Sequence, residues 1–419
     1  MSRRENILGN IDWLTVFLFA LLVFSGWLSI YSASSDEAGK SIFDLSARYG
    51  KQLLWIAMAV VLAVIILIID AKFFSTFAFW FYFLLIFLLV AVLLFGKTVA
   101  GSKSWFQIGS FAIQPAEFAK FTTALALARY LSLLNIDMRK LKTKIIAVTL
   151  ILLPALLIFM QNDTGSALVY FAFAIVLYRE GLSGTIFIIG LIMGILFITT
   201  LVFSEVHVLI VLLALLVIGF ALFRRIRKNW KPVIAMFILA AAFVLSVNFA
   251  FEHVLEPHQK TRISVLLGLE KDTKGAGYNV NQSMIAIGSG GLTGKGFRKG
   301  MLTQNQFVPE QGTDFIFCTV GEEWGFLGVI TVILAFTLLI VRVIILSERQ
   351  RSKFSRIYGY GVASILFFHF AVNIGMTTGL APVVGIPLPF FSYGGSSLWA
   401  FTILLFIFIK QDANRLNVL

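Results

Sequence analysis

Charge is the first thing in short supply. Asp, Glu, Lys and Arg together make up 13% of the 419 residues, about half the share a water-soluble domain carries. So few charges cannot cover a water-facing surface of this size, which excludes a soluble enzyme and an intrinsically disordered protein. A single cysteine, Cys318, excludes a disulfide framework. The four histidines, His207, His253, His258 and His369, show no zinc-ligand spacing with one another or with Cys318. His369, alone on an apolar helix, reads as an interhelical hydrogen-bonder. The glycine tract Gly288–Lys295 lacks Walker spacing and has Gly296 where Ser or Thr is needed, so no nucleotide site is expected.

Apolar sequence fills the chain instead: 59% of residues are hydrophobic and 15% aromatic. Runs of about 18–20 apolar residues recur from end to end, as in a polytopic helical membrane protein. They are too continuous for barrel strands. Twelve spans are expected, over 11–31, 52–69, 73–95, 114–132, 145–160, 165–178, 183–203, 206–223, 232–251, 317–346, 357–378 and 394–409. The fifth and sixth are short and meet at Gln161-Asn162-Asp163-Thr164, so broken or half-membrane helices are an alternative there. The first run exceeds a signal-peptide core of about 7–15 residues and is expected to be a retained span.

The net charge of +13 belongs to basic loops that hold the cytoplasmic side rather than to nucleic-acid binding. With the N-terminus in the cytoplasm, Arg139, Lys140, Lys142 and Lys144 fall inside. So do Arg224, Arg225, Arg227, Lys228 and Lys231, then Arg349, Arg351, Lys353 and Arg356, and finally Lys410 and Arg415. Segment 252–316, with glycine clusters and mixed charges, is then a large extracytoplasmic loop, partly ordered, with short helices on the membrane. It is longer than an idle connection.

Ionisable residues at membrane depth cost about 2.5–3.5 kcal/mol or more and need a reason. Glu117 and Lys120 share one helical face three residues apart. They are either a self-neutralising structural pair or the charged wall of a cavity open to the outside. Trp105, in the lysine-bearing loop Gly101-Ser102-Lys103-Ser104-Trp105, is either an interfacial belt residue or a substrate contact. In Val308–Phe317, Thr313 is the expected N-cap of a helix with Asp314 in its first turn, where a positive helix end keeps a carboxylate ionised. The alternative is that Asp314 only caps. Glu322 and Glu323 lie two turns further on, and at least one must face protein, water or a cation. Asp163 alone reads as an interfacial cap. Gly379–Ser397, with three prolines and four glycines, is a rigid non-helical excursion, tolerated at membrane depth only where protein or water covers it.

Five blocks lie in one order: GSKSWFQIGSFAIQPAEFAK, QNDTGSA, GAGYNVNQSMIAIGSGGLTGKGF, FVPEQGTDFIFCTVGEEWG and NIGMTTGLAPVVGIPLPFFSYGGSS. Together they resemble the SEDS (shape, elongation, division and sporulation) glycosyltransferases of bacterial cell walls, nearer the elongation branch than the division branch. The resemblance implies a single all-α polytopic transmembrane bundle over 1–419. Family members usually have ten spans, so residues 204–251 are expected to add an extra pair. It implies a peptidoglycan polymerase in the cytoplasmic membrane, using lipid II as donor and acceptor with inversion. The essential family aspartate falls on Asp314, the loop tryptophan on Trp105 and the paired charges on Glu117 and Lys120. The residue before the tryptophan is often arginine in the family but is Ser104 here, with Lys103 as the substitute cation. Lys260 and Arg262 are further candidates to meet the pyrophosphate, with a divalent cation (Mg or Mn). The partners implied are a class B penicillin-binding transpeptidase and membrane proteins of the elongation complex. The rival readings are a lipid II flippase and a non-catalytic membrane scaffold.

Overall fold

In a computed structural model of the chain, the described residues are 7–34, 41–99, 101–109, 111–134, 136–253, 260, 261, 263, 264, 267, 276–305 and 307–416. The architecture is an all-α bundle of membrane type. Its helices are α1 (Trp13–Ala33), α2 (Arg48–Ile68), α3 (Ala78–Phe95), α4 (Pro115–Ser132), α5 (Leu141–Met160) and α6 (Thr164–Arg179). There follow α7 (Thr185–Phe203), α8 (Glu205–Leu222), α9 (Trp230–His253), α10 (Ala276–Ser289), α11 (Ile316–Glu348), α12 (Lys353–Thr377) and α13 (Gly395–Ala413).

Among the described residues, 10 helices are long and apolar enough to cross a membrane. Two further expected crossings fall on α4, which carries Glu117, Lys120 and Arg129, and on α6, which is shorter. Of the two segments flanking Gln161-Asn162-Asp163-Thr164, α5 runs unbroken through Pro154. Only α6 is interrupted, by a 3-10 stretch over Val169–Ala172.

The chain separates into two compact units, Met1–Gly181 with Asn279–Leu419, and Leu182–Tyr278. In the larger unit, α13 packs on α2, α3 and α12 pack on α4, and α11 packs on α12 and α1. The centre is α4, α12 and α13. Small residues line α4, with Ala116, Ala119, Thr122, Thr123, Ala124, Ala126 and Ala128 all buried. Close backbone approach of this kind replaces the hydrophobic drive that is absent within lipid. Gly359 of α12 shows how close: a Cβ there would meet Ser347 Oγ at 2.1 Å and the Phe408 ring at 2.4 Å. The smaller unit holds α7, α8 and α9. Its first two helices each bury one residue, Thr200 and Val208, as expected of helices that are apolar all round and face lipid.

Two features of the larger unit were not legible as spans. A three-stranded antiparallel sheet, β1 (Lys97–Val99), β2 (Ser102–Ile108) and β3 (Phe111–Ile113), occupies what was expected to be a tight loop. And α11 is cut at Gly325, where φ is +62° and ψ −158°. A cut frees carbonyls on one side and N–H groups on the other, and buried groups of this kind must find partners. The segment 288–300 supplies them. Lys295 N donates to Glu322 O at 3.0 Å and Gly296 N to Glu323 O at 3.0 Å. Across the cut, Phe326 N donates to Gly291 O at 2.9 Å and Leu327 N to Leu292 O at 3.2 Å. The Glu322 carboxylate, fully buried, accepts from Lys295 Nζ at 2.7 Å, Leu302 N at 3.0 Å and Thr303 N at 2.8 Å. Glu323 accepts from Ser32 Oγ and from Arg298 N at 3.2 Å. Both acids face protein, and the glycine tract clasps a helix.

Asp12, just ahead of α1, accepts from Arg342 Nε of α11 at 3.1 Å and from Thr15 N at 3.1 Å. Burial pushes its carboxyl up, but the bonds from Arg342 and Thr15 outweigh burial and hold it at about 2. The folded value lies below the ordinary 3.8. The stabilisation is therefore complete above about pH 4 and is lost as the pH falls towards 2.

Two outcomes are expected. Asp12→Asn should cost about 1–3 kcal/mol at neutral pH, and thermal melts in detergent should show its gap from wild type narrowing steadily below about pH 4. At the cut, a Cβ on Gly325 would lie 2.3 Å from Gly294 N. Gly325→Ala should abolish a monodisperse folded peak on size-exclusion, whereas Gly190→Ala, in open space, should leave it intact.

Candidate functional site

Asp314 sits on a turn ahead of α11, not in its first helical turn. The helix starts at Ile316 with Phe315 as its N-cap and no side-chain cap. The reason is local. The N–H groups of Thr313, Asp314 and Phe315 all converge on Glu310 O, at 3.1, 3.1 and 3.3 Å, which closes a turn before the helix begins. Thr313 Oγ1 donates back to Glu310 O at 3.2 Å instead of capping. The turn is anchored from below by Gln311, buried, whose Nε2 donates to Ala33 O at 3.1 Å and Thr303 O at 2.7 Å.

The last non-helical stretch, 379–394, lies against this turn. Tyr393 N donates to Gly312 O at 2.9 Å. Asn373 Nδ2, near the end of α12, donates to Asp314 O at 2.8 Å. Gly385, at φ +73°, passes so close that a Cβ would stand 3.3 Å from Asp314 Oδ2. The result is a half-buried carboxylate with its main chain fixed and a bare glycine beside it. Arg48, exposed at the start of α2, also borders the turn: its Nη1 is 3.9 Å from where a Cβ on Gly312 would be. It escaped the sequence reading because one arginine at a span end carries no spacing signal.

Glu117 and Lys120 form the expected pair, at 2.9 Å, and both are almost wholly buried, 3% and 2% exposed. They do not form a charged wall open to the outside in this structure. Lys120 Nζ lies 3.1 Å from His369 Nε2 and 4.9 Å from the centre of the Phe401 ring. His369 Nδ1 meets Pro387 O at 3.1 Å, so the pair reaches the loop beside Asp314 through this imidazole. Glu117 Oε2 has no partner among the described residues. Asp163 belongs to the same neighbourhood. It N-caps α6 through Ser166 N at 3.0 Å and accepts from Gln114 Nε2 at 2.7 Å. Burial pushes its carboxyl up, and the charge of Glu117 adds to that while Lys120 opposes it.

The remaining candidates lie elsewhere. Lys103 is on β2, where its Nζ donates to Leu94 O at 3.1 Å and so caps the end of α3. One of the three ammonium hydrogens is thereby used at the end of α3. Trp105 is half-buried on β2 opposite Lys97 of β1. Lys260, in the smaller unit, donates to Glu252 O at 2.6 Å. Arg262 lies outside the described residues. Among the described residues, no group of three His, Cys, Asp or Glu converges in a way that would hold a metal ion. No step is routed through a divalent cation.

A family model described as a cell cycle protein, FtsW/RodA/SpoVE, matches residues 12–213 and 205–416. The chain is 32% identical to peptidoglycan glycosyltransferase RodA of Treponema pallidum over 97% of its own length and 98% of that protein. It is 35% identical to peptidoglycan glycosyltransferase MrdB of Escherichia coli over 91% of its length and 88% of that protein. Among solved structures, a chain from a peptidoglycan synthase complex that coordinates polymerization and crosslinking matches with a TM-score of 0.72. That match has 25% identity and covers 97% of this chain and 99% of that one. The rod shape determining protein RodA of Thermus thermophilus matches with a TM-score of 0.62 at 25% identity, covering 97% of each.

Breaking the buried pair from one side should reveal what it does. Lys120→Met leaves Glu117 buried without its cation and should cost about 3–5 kcal/mol of stability. The double variant Glu117→Gln with Lys120→Met should recover much of that loss in thermal melts.

Proposed function

The chain belongs to the FtsW/RodA/SpoVE family of cell cycle proteins, and we infer that it is a peptidoglycan glycosyltransferase building glycan strands for cell elongation. In this reading Asp314 carries the reaction. The observation behind it is the half-buried carboxylate on a turn whose main chain is held by Asn373 and Tyr393, with Gly385 leaving room at Oδ2. Lipid II, the undecaprenyl-pyrophosphate-linked disaccharide-pentapeptide, is the substrate on both sides of the new bond.

A sugar hydroxyl of the acceptor approaches Asp314, and the carboxylate takes its proton as the oxygen attacks the anomeric carbon of the donor. The new C–O bond forms as the bond from that carbon to pyrophosphate breaks. The electron pair leaves with undecaprenyl pyrophosphate. Attack opposite the leaving group inverts the centre, giving a β-1,4 linkage from an α-linked donor. General-base assistance of this kind is worth about 10²–10⁴-fold. Positive charge for the departing pyrophosphate is assigned to Arg48 beside the turn. Lys260 and Arg262, on the long segment after α9, are the further candidates. Glu117 and Lys120 act from behind, bracing the loop through His369, rather than on the substrate.

The basic clusters at 139–144, 224–231 and 349–356 favour the cytoplasm. Both termini then lie inside and Asp314 opens to the outer face of the cytoplasmic membrane, where lipid II is polymerised. Crosslinking of the product falls to a class B penicillin-binding transpeptidase. The likeness to a chain of a peptidoglycan synthase complex supports such a partner.

Purified protein given fluorescent lipid II should lengthen glycan on a gel. Asp314→Asn should lower that rate by at least about 10²-fold with an unchanged size-exclusion profile. Near-normal polymer from the variant removes Asp314 from the reaction. Movement of labelled lipid II across liposome membranes without any lengthening replaces the polymerase with a flippase.

A further inference from the structure

Asp314 and the loop beside it are tied together by one side chain that neither charge nor spacing singles out. Asn373 is fully buried on α12. Its Nδ2 donates to Asp314 O at 2.8 Å and also to Ile386 O at 2.8 Å. A primary amide has two hydrogens on that nitrogen, so one group joins the main chain of the acid to the main chain of the residue after Gly385. The other end of the amide, Oδ1, has no partner among the described residues. Both hydrogens of the amide are thus committed to main-chain carbonyls, one on each side of the gap between the turn and the loop.

The grip extends along the same helix. His369, four residues earlier and hence on the same face, meets Pro387 O at 3.1 Å. Consecutive carbonyls of the loop, Ile386 and Pro387, are thus both held by α12. The loop's next residues close on themselves, with Leu388 N donating to Ser392 Oγ at 2.8 Å and Ser392 N to Leu388 O at 3.0 Å. A stretch fixed in this way keeps Gly385 at a set distance from Asp314 Oδ2. Asn373 touches both sides of that gap.

Building on the polymerase reading above, we propose that Asn373 is a positioning residue. Its amide sets the place and direction of the Asp314 carboxylate relative to the 385–388 loop, and with it the line along which the acceptor hydroxyl is held. It touches no reacting atom. Its effect is on the geometry of attack, where displacement of about 1 Å costs on the order of 10²-fold in rate.

Asn373→Asp keeps the shape and replaces both donors by acceptors, while Asn373→Leu removes all polar atoms. Full-length protein in detergent is assayed on fluorescent lipid II, with rates expressed per folded molecule from the monodisperse size-exclusion peak. Both variants should lose kcat by about 10²-fold while KM stays within about threefold, and the acid limb of the rate–pH profile should move. A residue needed only for packing would lower the amount of folded protein and leave kcat, KM and the pH profile of the remainder unchanged. Folded Asn373→Asp or Asn373→Leu protein with kcat within about twofold of wild type overturns the proposal. Should both fail to fold, Asn373→Ser, which keeps one donor, is assayed in the same way, and kcat within about twofold of wild type in its folded fraction overturns the proposal. Wild type and Asp314→Asn run alongside separate the two inferences. If wild type makes no polymer, the polymerase reading fails. If wild type is active, Asp314→Asn is inactive and the Asn373 variants are active, only the positioning role fails.

Discussion

A cut in one helix is the constraint on which the arrangement of Asp314 depends. The segment from Ile316 to Trp324 is a short run ahead of the main length of α11, and Gly325 turns the backbone out of helical geometry between them. Within a lipid-embedded bundle the freed amides and carbonyls would each carry a penalty of several kcal/mol. Residues 291–296 take up those groups by main-chain pairing on both sides of the cut. Glu322 and Glu323 then fasten the clasp, one to Lys295 and the 302–303 amides, the other to Ser32 of α1 and Arg298 N. The turn bearing Asp314 is thereby mounted on a short helix fixed to the glycine segment and to α1. In the proposed reaction the carboxylate meets a hydroxyl within hydrogen-bond reach, and such a mount would hold it there.

A second polar track runs under the site. Asp163 and Gln114 are joined, Glu117 and Lys120 follow on the first turns of α4, and His369 passes the contact to Pro387. Glu117, Lys120 and His369 are all buried, where paired polar groups interact more strongly than in water. The track ends in the same loop that Asn373 holds. Asp314 is therefore approached from above by its own turn and from behind by α12, with the loop around Gly385 pressed between them.

Periodicity and length in the sequence were enough to place the membrane helices, because a bilayer imposes one length scale and one secondary structure. Asp314 was also legible, from a polar turn ahead of an apolar run and from the family blocks. Its exact relation to the helix was not, since Glu310 O draws in three successive amides and so ends the turn early. The strands around Trp105 are short, the longest being seven residues, and the adjacent pair Trp105-Phe106 interrupts any period-two pattern. His369 was readable as a hydrogen-bonder between elements, but its partners, Lys120 and Pro387, are fixed by tertiary packing alone. The same holds for Asn373 and Arg48, whose roles come from residues far away in sequence. Glu117 and Lys120 illustrate the limit from the other direction: spacing showed that they would pair, but only packing shows that α12 and α13 seal them from the outside.

That sealing has a consequence for biogenesis. Lys120 and His369 are separated by 249 residues, so α4 leaves the ribosome long before the helices that enclose its charges. Until α12 arrives, α4 must wait in or beside the translocon with Glu117 and Lys120 neutralising only each other. Nascent chains that stop short of α12 would leave an ion pair without its enclosure, a feature by which membrane quality-control proteases could tell an unfinished product from a finished one.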